Sequence, residues 1–347
     1  MTTIRSAPPN AGVVALRYEG GALWALDQTA LPWEERRLEL RTAADVAAAI
    51  RRLSIRGAPL IGVAAAYGVA LELAHDPGPD TLDRACDLLR AARPTAVNLA
   101  WAVERVRAAA AAAGSGDEAA VALAQARAIH ADEEAASAEI ARHGAQLLSG
   151  ARRVLTHCNT GALAAPGRGT ALAVVAELAR QGRLEGVLAT ESRPLLQGAR
   201  LTVYELSKLG IPHELVVDSA ASGLIAGGAV DAVIVGCDRV AANGDTANKV
   251  GTYGLALAAG AAGIPFVVAG PTSTIDPACA AGGQIEIEER DQDEVRLAGG
   301  RRLTVPGTRC RNPAFDVTPA ALVTALVTER GVAKPVSRTS IAGLLRR

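Results

Sequence analysis

The sequence predicts an α/β protein: a C-terminal doubly wound parallel sheet beside a smaller N-terminal domain of a short β hairpin or sheet plus helices. Three observations carry this. Apolar residues make up 50% of the 347 and charged residues 21%, which excludes global disorder and is enough for a large core or two domains. From Thr42 to about Gly144, Ala, Leu and Arg recur at helical spacing. After Gly150, short apolar runs alternate with helical stretches, the pattern of parallel strands covered on both faces.

Taken in order, Met1 to Asn10 is polar, contains Pro8-Pro9 and shows no secretory pattern. Arg17 to Trp24, with Gly20-Gly21 inside it, reads as a hairpin. Asp80, Asp117 and Ser149-Gly150 punctuate the helical stretch, and Gly114-Ser115-Gly116 is a loop within it. The change of texture divides the chain into residues 1–148 and 149–347. The expected strands are Val154–His157, Gly186–Thr190, Leu215–Val217, Ala232–Val235 and Pro265–Val268. Val250 to Ile275 is uncharged and long enough to span a bilayer. Gly263-Ile264-Pro265 cuts it, however, into a Gly/Ala-rich buried helix and a short strand, so no membrane partner is expected.

Composition narrows the function. With 36 basic and 36 acidic side chains there is no excess charge to neutralise phosphates of nucleic acid, and three Trp, four Tyr and two Phe leave little for base stacking. The five cysteines are odd in number and form no Cys-x-x-Cys pair, so no metal site is read and a reducing cytoplasm is expected. Lysine occurs only at 208, 249 and 334, in a chain where Arg is the default cation.

In doubly wound sheets ligands lie beyond the carboxyl ends of the strands. Those ends read His157-Cys158-Asn159-Thr160-Gly161, Glu191-Ser192-Arg193-Pro194 with Gln197 following, Asp218-Ser219, and Gly236-Cys237-Asp238-Arg239. Individually each has a plain reading: Cys158 as a small core residue, Asp238 with Arg239 as a loop salt bridge, Asp218 as a helix cap. A dinucleotide cofactor is not expected, because Gly167-Arg168-Gly169 follows its strand too late and lacks the third glycine. An anion has other anchors. Gly57 and Pro59 in Ser54–Pro59 suit a helix start whose free amides face a ligand, with Arg56 beside them. Arg93-Pro94-Thr95 opens a second helix through Asn98 and Trp101. Asn243 to Lys249 is read as a loop carrying Asn248 and Lys249 to the start of a third.

The runs Ile55–Gly62, Arg93–Leu99, Thr156–Gly161, Glu191–Pro194 through Gly198, Asp238–Val240 through Asn248–Tyr253, and Asn312–Pro319 resemble the methylthioribose-1-phosphate isomerases of methionine salvage, from about Leu23 to Gly331. Cys237 departs from the pattern, where a small residue such as Ala is usual, and adds a second thiol near the site. The resemblance implies isomerisation of 5-methylthioribose 1-phosphate to 5-methylthioribulose 1-phosphate without a cofactor, a homodimer, and a Rossmann-like C-terminal domain. By position it implies Asp238 as acid–base residue and Cys158 as second catalytic residue. Arg56, Gly57, Ala58, Arg93, Gln197, Asn248 and Lys249 become the substrate-binding set.

A phosphate on the anomeric oxygen prevents spontaneous ring opening, so the enzyme must open the ring. A protonated Asp238 is expected to give its proton to the ring oxygen. Cys158 then acts either as thiolate base at C2 or as stabiliser of a hydride shift. His157 should face away from Cys158 by strand alternation. Arg193 is read either as a phosphate ligand or as a partner of Glu191. Two other readings compete: a related isomerase acting on ribose 1,5-bisphosphate or 5-deoxyribose 1-phosphate, and a non-enzymatic regulatory subunit of the guanine-nucleotide exchange factor of translation initiation.

Overall fold

The computed structural model describes residues 12–346 apart from Pro79 and Ser115; the polar Met1–Asn10 segment and Arg347 lie outside them. β1 (Leu16–Glu19), β2 (Ala22–Leu26) and β3 (Arg37–Leu40) form an antiparallel sheet, and Gly20 and Gly21, both at positive φ, close the expected hairpin. Five helices follow: α1 (Ala43–Arg51), α2 (Ala58–His75), α3 (Thr81–Arg90), α4 (Val97–Ala111) and α5 (Glu118–Leu147). A capping box starts α1: Asp45 N donates to Thr42 Oγ1 and Thr42 N to Asp45 Oδ2, each at 3.1 Å. α2 is long and apolar enough to cross a membrane, but it is buried among α1, α3, α4 and α5 as a core helix.

The second half contains β4 (Arg153–Thr156), α6 (Ala171–Arg180), β5 (Gly186–Thr190), α7 (Val203–Lys208), β6 (His213–Val216), α8 (Ala221–Ala226) and β7 (Ala232–Val235). Then come β8 (Arg239–Ala241), β9 (Thr246–Lys249), α9 (Thr252–Ala262), β10 (Phe266–Ala269), β11 (Ile275–Asp276), α10 (Asp293–Arg296), β12 (Leu297–Ala298) and β13 (Arg301–Arg302). The chain closes with β14 (Phe315–Thr318), β15 (Ala325–Thr328), β16 (Gly331–Ala333) and α11 (Arg338–Leu345). The main sheet has the order β6-β5-β4-β7-β10-β15-β16, parallel except for the edge strand β16.

Alternation explains why this sheet is covered twice. Val154, Ala232, Ile234, Val267 and Val327 pack on one face with α6 and the end of α5. Leu155, Val233, Val235, Phe266 and Leu326 pack on the other with α8, α9 and α11. α5 buries Ala122, Ala126, Ile129, Glu133, Ala136 and Ile140, three or four apart, and packs on both α2 and α6, joining the two halves.

Three expectations need correction. The third strand begins and ends earlier than Leu215–Val217, because His213 to Val216 pair with β5 and Val217 lies beyond that pairing. Asn243 to Lys249 is not one loop: β9 pairs with β8 and β14, and Asn248 and Lys249 lie on it. The Val250–Ile275 run does divide into helix and strand, but α9 leaves Tyr253 and Leu257 exposed instead of being buried all round.

Where α5 meets the end of β10, Glu133 is only 6% exposed, and its Oε1 accepts from Ser273 Oγ at 2.9 Å. Burial pushes its carboxyl up to about 7, Glu329 and Asp132 nearby add to this, and Ser273 and Arg105 oppose it. The folded state therefore holds this proton more tightly than the unfolded chain, and stability is lost as pH rises from the ordinary carboxyl range to about 7. Glu133→Gln is expected to remove that loss, leaving the variant about 2–3 kcal/mol more stable than wild type at pH ~8 and no more stable at pH ~4.5. Denaturant melts at the two pH values check this; an equal difference at both would contradict it.

Candidate active site

The order of the main sheet reverses between β4 and β7: β5 and β6 lie to one side of this pair and β10 and β15 to the other. A crevice opens beyond the carboxyl ends of strands at such a point. Cys158 follows β4 and Asp238 follows β7, so the topology delivers these two residues to one cavity. Its lining comprises Leu53, Arg56, Gly57, Arg93, Cys158, Leu195, Gln197, Asp238, Lys249, Arg290, Ala314 and Phe315, around a space of about 80 Å³.

Each functional group is held differently. Cys158 has φ +64, uncommon for a non-glycine residue. Its N–H donates to Ser192 Oγ at 2.7 Å and its carbonyl accepts from Thr202 Oγ1 at 2.6 Å. Ser192, itself at φ +61, is fixed in turn by Asp218, whose carboxylate accepts from the N–H groups of Ser192 and Arg193, each at 2.7 Å. Asp218 therefore clasps the turn after β5 and does not cap a helix. Arg56 donates to both Oδ1 and the carbonyl of Asn159, at 2.7 and 2.9 Å. Asn159 cannot turn, because its Nδ2 donates to the buried carboxylate of Glu205 at 2.7 Å.

Gly57 stands at φ +98 ahead of α2, and a Cβ there would collide with the Cα and carbonyl of Ala164. The N–H groups of Gly57 and Ala58 have no acceptor among the described residues, whereas Leu60 N donates to Ala164 O. Gly57→Ala is expected to cost at least about 2 kcal/mol of stability and to weaken phosphate binding. A thermal melt with and without inorganic phosphate checks both.

Charge is poorly compensated here. Lys249 is only 4% exposed and forms no salt bridge among the described residues. Asp238 makes no side-chain hydrogen bond among them. Burial pushes the Asp238 carboxyl up, against the pull of Arg56, Arg93 and Lys249. Burial also raises the Cys158 thiol, with Arg56 and Lys249 opposing, and lowers the Lys249 ammonium, with Cys158 and Asp238 opposing. Gln197 Oε1 is buried without a partner. Buried groups left in this state call for a ligand.

Several sequence readings change. Arg239 does not pair with Asp238; it lies 3.7 Å from Asp276 and donates to Thr95 O. Arg193 pairs with neither Glu191 nor the cavity, donating instead to the carbonyls of Pro194, Val295 and Leu297. Asn248 is buried beside the cavity but is not in its lining, and its Nδ2 donates to Thr252 Oγ1 at 2.9 Å. Cys237 packs against Gly270, with Thr274 beside it, and its thiol does not line the cavity. His157, by contrast, faces away from Cys158 as strand alternation predicts, bonded to Thr190 Oγ1 at 2.5 Å and Val250 O at 2.9 Å. Leu53, Leu195, Arg290 and Phe315 were not singled out as site residues.

A second space of about 50 Å³ continues past Asp238, lined by the apolar Ala58, Ile61, Ala96, Ala247, Ile285 and Phe315 and by the polar Arg93, Thr95, Arg239 and Glu286. Arg93 is already engaged by Glu288, at 2.7 Å.

Residues 54–335 match the model of the initiation factor 2 subunit family. A methylthioribose-1-phosphate isomerase of Anaeromyxobacter sp. (strain K) is 54% identical over 92% of this chain and 93% of its own. One from Thermus thermophilus is 52% identical over 91% and 93%. Among solved structures, 5-methylthioribose 1-phosphate isomerase from Pyrococcus horikoshii OT3 superposes with a TM-score of 0.89 at 36% identity, covering 99% of both chains. One described as translation initiation factor eIF-2B subunit delta, from A. fulgidus, superposes at 0.85 with 37% identity, covering 96% of this chain and 100% of that one.

Proposed function

The chain is an isomerase that belongs to the initiation factor 2 subunit family, and on that premise we propose that it converts 5-methylthioribose 1-phosphate to 5-methylthioribulose 1-phosphate at the Cys158–Asp238 cavity. The observation that carries this reading is a buried lysine without a salt bridge, beside the half-buried carboxyl of Asp238 and the half-buried thiol of Cys158. The phosphate supplies Lys249's missing counterion and takes bonds from Arg56 and the amides of Gly57 and Ala58. Arg93 flanks the ring, and Gln197 Oε1 accepts from a sugar hydroxyl. Asn248 acts through Thr252 at the start of α9.

Asp238, kept protonated by burial, protonates the ring oxygen as the C1–ring oxygen bond breaks and its electron pair goes to that oxygen. Hydrogen then moves from C2 to the electron-poor C1 with its electron pair. The C2 hydroxyl becomes a carbonyl and returns its proton to the Asp238 carboxylate. No electron is gained or lost overall, so no cofactor is called for. A thiol raised above its ordinary range supports Cys158 as stabiliser of this shift, not as thiolate base. The apolar side chains of Ile61, Ala96, Ala247, Ile285 and Phe315 in the small second space suit a methylthio group.

Residues 1–148 form the N-terminal domain of this reading and residues 149–347 a Rossmann-like catalytic one, which the main strand order supports. It also includes a homodimer that covers the exposed Tyr253 and Leu257. The test is proton NMR of the purified protein with 5-methylthioribose 1-phosphate in deuterated buffer, without added cofactor. Loss of the anomeric signal and a ketose product whose C1 retains the hydrogen from C2 is the expected result. A ketose with deuterium at C1 would shift Cys158 to the role of base, and an unchanged substrate would refute the assignment.

A further inference from the structure

The cavity at Cys158 and Asp238 has an antechamber. A space of about 390 Å³ lies beside it and shares Leu53, Arg56, Leu195, Gln197 and Arg290 with it. Five arginines line this outer space, at positions 51, 52, 56, 200 and 290, with Glu294 as the only acid. Three of the five are committed elsewhere. Arg56 is held by Asn159, Arg290 by Glu294 and Glu288, and Arg200 by the carbonyls of Gln28, Leu31 and Leu195. The other two are not. The Arg51 side chain forms no hydrogen bond or ion pair among the described residues, and the Arg52 side chain uses only Nε, toward Ser54 Oγ at 2.9 Å.

The backbone gathers these cations at one mouth. Arg51 ends α1, and Leu53 then turns the chain at φ +64, a conformation that costs a branched residue free energy. That turn places the end of α1 and the Arg56-Gly57 segment around one opening. Gln28, 2% exposed, also lines the space, and its Oε1 is buried without a partner. Like charges gathered without neutralising acids raise the local concentration of an opposite ion and its rate of arrival.

We infer that this antechamber is a capture site for phosphate monoesters, with Arg51 and Arg52 taking the dianion from solvent and passing it inward to Arg56 and Lys249. The inference rests on the proposed sugar-phosphate substrate only for its route, because the capture chemistry is that of any phosphate monoester.

The test uses the full chain carrying both Arg51→Glu and Arg52→Glu, with Arg51→Lys and Arg52→Lys together as the charge-conserving control. At about 20 mM salt, kcat/KM for 5-methylthioribose 1-phosphate should fall on the order of tenfold or more in the glutamate variant, with kcat within about twofold of wild type. The gap should close at about 0.5 M salt, and the lysine variant should stay near wild type. A loss that persists at high salt, or no loss at low salt, would overturn the inference. A second readout does not depend on turnover: the rise in melting temperature with inorganic phosphate should be smaller in the glutamate variant than in wild type. Equal stabilisation of both would overturn capture at this site. A wild type that binds phosphate through these arginines but turns over no substrate would leave the capture site standing and refute the proposed reaction alone.

Discussion

Asp238→Asn is expected to lower kcat by about 10³-fold while making the protein more stable at neutral pH. Both halves follow from one fact. Burial holds the Asp238 carboxyl above its ordinary range, so the folded state binds that proton more tightly than the unfolded chain does. Stability is then lost as pH rises from the unfolded carboxyl value to the raised folded one. Asparagine has nothing to ionise and escapes this loss, but it cannot deliver a proton to the ring oxygen. In wild type, activity should hold while Asp238 is protonated and fall on the basic side; in the variant's residual rate that limb should disappear. A stability curve and a pH–rate profile on the same preparations check the pair of claims. A variant that is less stable and only modestly slower would make Asp238 a structural residue.

Cys158→Ala is expected to lower kcat by about 10²–10³-fold with the fold intact. Backbone bonds to Ser192 and Thr202 hold this left-handed turn, and neither uses the thiol, so removing sulfur leaves the turn's anchors in place. Cys158→Ser keeps a small hydrogen-bond donor and should recover part of the loss if the group stabilises charge; a thiolate base would gain nothing from it. Because burial raises the thiol, alkylation of Cys158 by iodoacetamide should be slow at neutral pH and accelerate only in the alkaline range. Peptide mapping separates it from Cys237, whose thiol burial raises as well. Fast labelling at neutral pH would point to a thiolate and to proton abstraction at C2.

Much of the site was legible because strand ends and glycines report backbone demands directly. Apolar runs ending in His157-Cys158 and Gly236-Cys237-Asp238 lead to one crevice once the sheet is parallel. Gly57 marks a positive φ and a close approach that no other residue permits. What remained hidden depends on contacts between distant segments. Arg290 comes from a stretch with little regular structure, tied in by the bonds Arg93–Glu288 and Arg193–Val295, whereas Ala314 and Phe315 are placed by the pairing of β14 with β9, which sets Phe315 opposite Lys249. Asp218 resembles a helix cap in one dimension, but its carboxylate reaches back to a neighbouring strand's turn. Arg193 reads as a phosphate ligand or a partner of Glu191 and Arg239 as a partner of Asp238, but both donate instead to backbone carbonyls of distant segments. Lys249 was notable for its rarity, yet its significance lies in burial without a salt bridge, which no sequence displays.

The central claim is that this cavity isomerises a 1-phosphorylated pentose carrying an apolar 5-substituent. Turnover of 5-methylthioribose 1-phosphate and ribose 1,5-bisphosphate, side by side and without added cofactor, tests it most directly. A kcat/KM at least about 100-fold higher for the methylthio sugar, with its kcat lowered about 10²–10³-fold in Cys158→Ala, is the predicted result. A preference for the bisphosphate would contradict the assignment of the apolar space, and no turnover of either would contradict the proposed reaction itself.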